Sequence, residues 1–282
     1  MILERNAPAK VNLGLHVLRK RDDGYHDIET VFLPVQWCDQ VRVQPAEHMQ
    51  FTCSDPGLPV DASNLCVRAA NILRKHYGLD KAAAIHLEKH LPYGAGLGGG
   101  SSDAAQTLCL LNELWQLDLN YTTLHAFAAE LGSDVPFFLH EDAVYATGRG
   151  ELLEPLLEPG PGAKYEFPYV IVLVVPPVHV STALAYQNIQ PNDEERADLK
   201  TVVFSNNLSR WRTELVNDFE TSVFTAYPEL NELKQALINA GAGYAAMSGS
   251  GSSLFGVFED ANKAKQATQL FTVQGMTTWV SG

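Results

Sequence analysis

The chain has 282 residues, 46% of them hydrophobic, and a formal net charge of −13 from 20 Lys plus Arg against 33 Asp plus Glu. That length is too great for an easy single core and suits two domains. The acidity argues against nucleic acid or an anionic membrane surface as partner, and it raises the value of each lysine near an anion-binding segment.

Cys38, Cys53, Cys66 and Cys109 are scattered without a Cys-x-x-Cys pair, the usage of a reduced, cytoplasmic protein. Residues 1–10 hold no apolar core of signal-peptide length, and the longest apolar run, 169–175, is far too short for a bilayer. A cytoplasmic location is therefore expected.

In chain order, alternation predicts strands over 10–18, 25–35 and 40–43. A helix over 64–76 follows, with Leu65, Ala69 and Ile72 on one face, and then a strand from 84. Ala104, Leu108, Leu111 and Trp115 recur at spacings of a helical stripe, so 101–117 reads as a helix that Ser101, Ser102 or Asp103 would cap. A further helix spans 122–131 and stops at Gly132, and 143–147 reads as a strand. The proline- and glycine-rich stretch 154–168 is the best boundary, which predicts α+β domains over 1–160 and 161–282. Beyond it come a buried strand at 169–175, a short helix from Ser181, a polar stretch at 190–200 and helices from Glu220 and Glu229. A small-residue loop at 241–256, a helix over 261–271 and a last strand complete the chain.

The most informative stretch is Pro92, Tyr93, Gly94, Ala95, Gly96, Leu97, Gly98, Gly99, Gly100, Ser101, Ser102. A glycine run between a strand and a helix presents unpaired N–H groups and the positive end of the helix dipole, which attract phosphate. It satisfies G-x-G-x-x-G formally, yet no second strand with an acidic end follows, so the dinucleotide reading fails. It approaches G-x-x-x-x-G-K-[ST] more closely, but Gly100 stands where the lysine belongs, so the positive charge must come from elsewhere. A flexible linker has no reason to be framed by a strand and a strongly periodic helix.

Alternation along the first strand puts Lys10, Asn12, Gly14 and His16 on one face. That face is either a solvated one or the lining of a site where Lys10 supplies the missing charge. Asp134 sits between a helix stop and Val135-Pro136-Phe137-Phe138, as a turn residue or as a partly buried base. His26 after Tyr25 carries little by itself, and 247–256 is a hairpin or a second phosphate-facing loop.

Taken together, Pro8-Ala9-Lys10-Val11-Asn12-Leu13, the 92–103 loop and Ser248-Gly249-Ser250-Gly251-Ser252-Ser253 resemble the three ordered motifs of the GHMP small-molecule kinases. Asp23-Gly24-Tyr25-His26 and Gly132-Ser133-Asp134-Val135-Pro136 resemble the branch acting on a cytidine-diphosphate-linked methylerythritol. The resemblance implies a two-domain α+β fold: an N-terminal ribosomal-protein-like domain and a C-terminal ferredoxin-like domain, with the active site in the cleft between. It implies ATP-dependent phosphorylation of the erythritol 2-hydroxyl in the non-mevalonate route to isoprenoid precursors. Lys10 and Asp134 would be the catalytic pair, and 92–102 would hold the ATP phosphates. Asn64 and Leu65 would meet adenosine, while Asn12, Tyr25, His26, Thr182 and Tyr186 would meet the acceptor. Mg²⁺ is expected with ligands unknown, and a monomer or homodimer without nucleic-acid or membrane partners. Rival readings are a kinase of the same family acting on mevalonate, homoserine or a sugar, and a nucleotide sensor without turnover.

Overall fold

Both opening strands outrun their alternating patterns. In the computed structural model, which describes residues 1–282 other than 161, 188 and 193–195, β1 spans Leu3–Lys20 and β2 spans His26–Ala46. The two strands pair, and the turn between them uses Gly24 at φ 86°. Residues 36–39, expected to separate two strands, continue β2 instead. Trp37 and Cys38 tolerate extended backbone, and the following residues are held in a ladder. Part of the polar stretch expected at 190–200 lies outside the described residues.

Packing divides the chain into two units, one of Met1–Ala9, Gln36–Tyr93 and Gly98–Glu141, the other of Lys10–Val35, Gly94–Leu97 and Asp142–Gly282. These units interleave along the sequence, whereas composition alone suggested one break near 160. Both long strands and the glycine loop contribute to each unit.

In the first unit, β3 (Gln50–Cys53) runs parallel to β4 (Ala82–Glu88), and β4 pairs antiparallel with the Gln40–Ala46 end of β2. Three helices accompany this sheet: α1 (Leu65–Tyr77), α2 (Gly99–Trp115) and α3 (Tyr121–Leu131). Ala104, Leu108, Leu111 and Trp115 of α2 are all buried, as their spacing requires. Asn64 caps α1 by accepting from the Cys66 N–H, and Gly78 ends it in the left-handed region at φ 59°.

In the second unit, β5 (Val144–Thr147) pairs antiparallel with the Thr30–Phe32 part of β2 and with β6 (Leu152–Pro155). A separate sheet joins β7 (Val170–Val175), β8 (Tyr244–Met247), β9 (Leu254–Phe258) and β10 (Thr277–Val280) in the order β10-β7-β9-β8, every pair antiparallel. Short helices α4 (Thr182–Gln187), α5 (Leu199–Phe204), α6 (Leu208–Glu214) and α7 (Phe219–Ala226) lead to α8 (Pro228–Asn239), and α9 (Ala261–Val273) follows β9. A strand, helices, a β8–β9 hairpin, a helix and a closing strand in that sheet order make a ferredoxin-like arrangement. Its core includes Val172, Val174, Phe219, Leu237, Phe258 and Phe271, where each large side chain contributes about 1.5–3 kcal/mol by leaving water.

Candidate active site

The phosphate-attracting terminus begins earlier than its serines suggested. Helix α2 starts at Gly99, after Gly98 at φ 73°, and no side chain caps it. Ser101 and Ser102 therefore lie inside the first turn, with the Ser102 N–H already bonded to the Gly98 carbonyl at 2.9 Å. Asp103 is buried within the helix and is not a cap, a correction to the expectation above. The N–H groups of Gly99, Gly100 and Ser101 belong to the turn that an α-helix leaves without internal acceptors, and they point out of its positive end. Leu65 lies beside this turn, its Cδ1 4.0 Å from the position of a Cβ on Gly100. Asn64, one residue before, uses its side chain to cap α1 and to donate to the Pro59 carbonyl at 2.9 Å. Pro92 is half-buried and Tyr93 is exposed at the start of the loop.

Within the second unit, Lys10 is buried and donates to Asn12 Oδ1 at 2.8 Å and to the Gly96 carbonyl at 3.0 Å. Its ammonium also stands 5.4 Å from the centre of the Phe32 ring, and its backbone N–H donates to the Leu97 carbonyl. Ala7 and every residue of 9–17 are buried, so the polar face of β1 is not solvated. Asn12 Oδ1 accepts the Gly249 N–H at 2.9 Å, and Asn12 Nδ2 donates to Thr30 Oγ1 at 3.0 Å. Ser248 Oγ donates to the Gly96 carbonyl at 2.9 Å, and the Ser253 N–H to the Ala95 carbonyl at 3.1 Å. The second and third motifs thus meet around Lys10 and Asn12 of the first. Gly96, at φ 79°, admits no side chain: a Cβ there would lie 2.2 Å from the Ser248 carbonyl oxygen.

The residues expected on the acceptor side also gather in this unit. His26 stacks on Tyr186 with ring centres 5.0 Å apart and planes 24° from parallel. Tyr25 is exposed, with the Arg149 guanidinium 4.9 Å from its ring centre. Thr182 shares a hydrogen bond with Ser250 Oγ at 3.0 Å. Burial, and then the nearby Lys20 charge, lower the His26 pKa, which favours the neutral ring that can both donate to and accept from a base edge. Asp134, in the first unit, is half-buried just before a 3₁₀ turn at Val135–Leu139 whose first four residues are buried.

The stretch Asn217-Asp218-Phe219-Glu220 matches a further signature of the resembled family and is expected to be supporting structure, while a buried ionic trio escaped the sequence reading. Asn217, buried, donates through Nδ2 to the Met247 and Gly249 carbonyls, both at 2.8 Å, and accepts the Phe219 N–H. Glu220 accepts the Met247 N–H at 2.8 Å, so the Asn217–Glu220 segment holds the backbone of the third motif. In the first unit, Lys89 joins Asp39 and Asp103 in a buried ionic trio. Lys89 and Asp39 stand 50 residues apart, a pairing that cannot be read from spacing.

Among the described residues there is no group of three or more His, Cys, Asp or Glu placed to hold a metal ion, and no helix long and apolar enough to cross a membrane. The N-terminal domain of the GHMP kinases matches residues 64–142, and their C-terminal domain matches 199–269. A 4-diphosphocytidyl-2-C-methyl-D-erythritol kinase of Salinibacter ruber (strain DSM 13855 / M31) is 46% identical over 279 residues, covering 99% of this chain and 98% of that one. The crystal structure of a 4-(cytidine 5'-diphospho)-2C-methyl-D-erythritol kinase superposes with a TM-score of 0.83 at 35% identity, over 99% of this chain and 98% of that one. A homoserine kinase from Cytophaga hutchinsonii shares the fold, with a TM-score of 0.76 at 19% identity over 100% of this chain and 94% of that one.

Proposed function

The chain belongs to the GHMP kinase family, and from that premise we propose that it transfers the γ-phosphoryl group of ATP to the 2-hydroxyl of 4-diphosphocytidyl-2-C-methyl-D-erythritol. It is an ATP-using kinase of a small molecule, and its near-full-length relatives name that substrate. The observation that carries the reading is the uncapped glycine terminus of α2, whose outward N–H groups suit a polyphosphate.

In this reading the acceptor oxygen forms a bond to the γ-phosphorus as the bond to the β-phosphate oxygen breaks. ADP leaves, and the hydroxyl proton passes to the Asp134 carboxylate. Little covalent work falls to the protein, so positioning and charge stabilisation dominate. Residues 92–102 cradle the triphosphate, Lys10 neutralises charge developing beside the acceptor, and Asn64 with Leu65 borders the adenosine. His26 reads the cytosine edge, and Asn12, Tyr25, Thr182 and Tyr186 frame the rest of the acceptor. A Mg²⁺ ion would be held chiefly by the ATP phosphates, with the Ser101 or Ser102 hydroxyl as the protein's contribution, and would neutralise part of the phosphate charge. The segments 1–160 and 161–282 are taken as the two family modules, in a cytoplasmic monomer or homodimer.

A coupled ADP-release assay tests this, comparing the cytidine-linked substrate with free methylerythritol phosphate. Turnover is expected with the first alone, and equal turnover with mevalonate or homoserine would overturn the assignment. Asp134→Asn is expected to lower kcat by about 10²–10⁴-fold with nucleotide affinity nearly unchanged. Near-normal turnover in that variant would remove Asp134 from the mechanism.

A further inference from the structure

The buried trio of Asp39, Lys89 and Asp103 has no part in the phosphoryl transfer described above, yet it sits at both ends of the glycine loop. Lys89 Nζ donates to Asp39 Oδ2 and, at 2.9 Å, to Asp103 Oδ2. The other Asp39 oxygen accepts the N–H groups of His90 and Leu91 at 2.6 and 2.7 Å, the two residues that enter the loop. Asp103 lies in α2, immediately after the turn in which the loop ends. The ammonium is so close to that turn that a Cβ on Gly99 would stand 3.0 Å from Nζ.

Such a cluster is costly to bury, and a hydrophobic plug of similar size would join β4 to α2 at less cost. The trio also carries two carboxylates against one ammonium. Asp103 Oδ1 and Ser102 Oγ are buried without hydrogen-bond partners in the same turn. On the reading that this chain binds ATP, we infer that Lys89 is a positioning residue: clasped by Asp39 and Asp103, it fixes the spacing between the two ends of the loop and so aims the α2 amides at the triphosphate.

The charge state of the trio then bears on anion binding. Burial, more than the opposing Lys89 charge, pushes the Asp103 pKa up to about 7. Around it stand Lys89 and Asp39, with the thiols of Cys66 on α1 and Cys53 on β3, both pushed up by burial and so neutral. A protonated Asp103 leaves the trio neutral overall. Its ionisation adds a negative charge one turn from the phosphate site, which weakens the hold on ATP as pH rises.

The test is ATP binding by calorimetry on the full chain, read separately from turnover. Lys89→Met with Asp39→Asn and Asp103→Asn removes every charge of the trio while keeping shape, so no carboxylate is left unpaired. This triple variant is expected to keep the wild-type circular dichroism, to bind ATP about tenfold or more weakly, and to keep its KM for the cytidine-linked substrate within about twofold. Unchanged ATP affinity in the folded triple variant would reduce the trio to a structural tie and overturn the inference. Asp103→Asn alone supplies a second decision should the triple variant not fold. The ratio of its ATP affinity to that of the wild type should rise across pH 7, and a flat ratio overturns the inference. ATP binding that responds in this way without turnover of the cytidine-linked substrate would sink the substrate assignment and leave the role of Lys89 standing.

Discussion

Asn217 has a single side-chain amide, yet it satisfies two carbonyls and one N–H of the backbone around the third motif. Asn217→Ala strands the Met247 and Gly249 carbonyls inside the protein, where each unmade bond costs about 1–3 kcal/mol. The variant is expected to melt several degrees lower by calorimetry, and an unchanged Tm would mean that water replaces the amide. His26 acts in a different way, through the acceptor. His26→Ala should raise the KM for the cytidine-linked substrate about tenfold with little change in kcat, and an unchanged KM removes the base-reading role. Since burial lowers the His26 pKa below its ordinary 6.5, substrate affinity should hold as pH falls to that value and drop only below it.

Helix α2 and its loop were the most legible element, because a buried stripe of Ala104, Leu108, Leu111 and Trp115 leaves one reading of the period. Its first residue was not legible. Glycine is a poor helix former and serine a good cap, so local preference favours a start near Ser101, while the structure begins at Gly99. A Cβ on Gly99 would press on the Lys89 ammonium at 3.0 Å, a constraint set by a residue distant in sequence, whereas at Gly100 the one neighbour, Leu65, stands at an ordinary contact distance of 4.0 Å. The same holds for Asp103, whose cap-like identity hid a partner on another element. Gly96→Ala tests the packing of the loop itself. With a Cβ 2.2 Å from the Ser248 carbonyl and a left-handed backbone at φ 79°, the loop must shift. Nucleotide KM should rise by about tenfold or more, and normal kinetics would show that the loop tolerates displacement.

For the molecule as a whole, two α+β units were foreseeable from length and element order, but their interleaving was not, since it follows from β1 and β2 each being shared between the two units. Stability carries a pH signature of the buried acids. Asp103 keeps its proton in the folded chain up to about 7, against 3.8 for the ordinary group, so the folded state binds the extra proton in that window. The stabilisation is complete below the ordinary value and fades as pH climbs toward 7. Denaturant melts of Asp103→Asn should therefore gain on the wild type as pH rises, and parallel curves would place the proton elsewhere. The unit that contains Asn217 also contains the Lys10–Val35 stretch: Leu15 donates to the Val216 carbonyl and accepts from the Asp218 N–H, and Val17 donates to the Asp218 carboxylate. A gene severed near codon 160 would therefore yield a carboxyl-terminal fragment stripped of its own scaffolding strand, and chimaeras between relatives should tolerate exchange better when 10–35 travels with the tail than when the halves are swapped at the proline-rich junction.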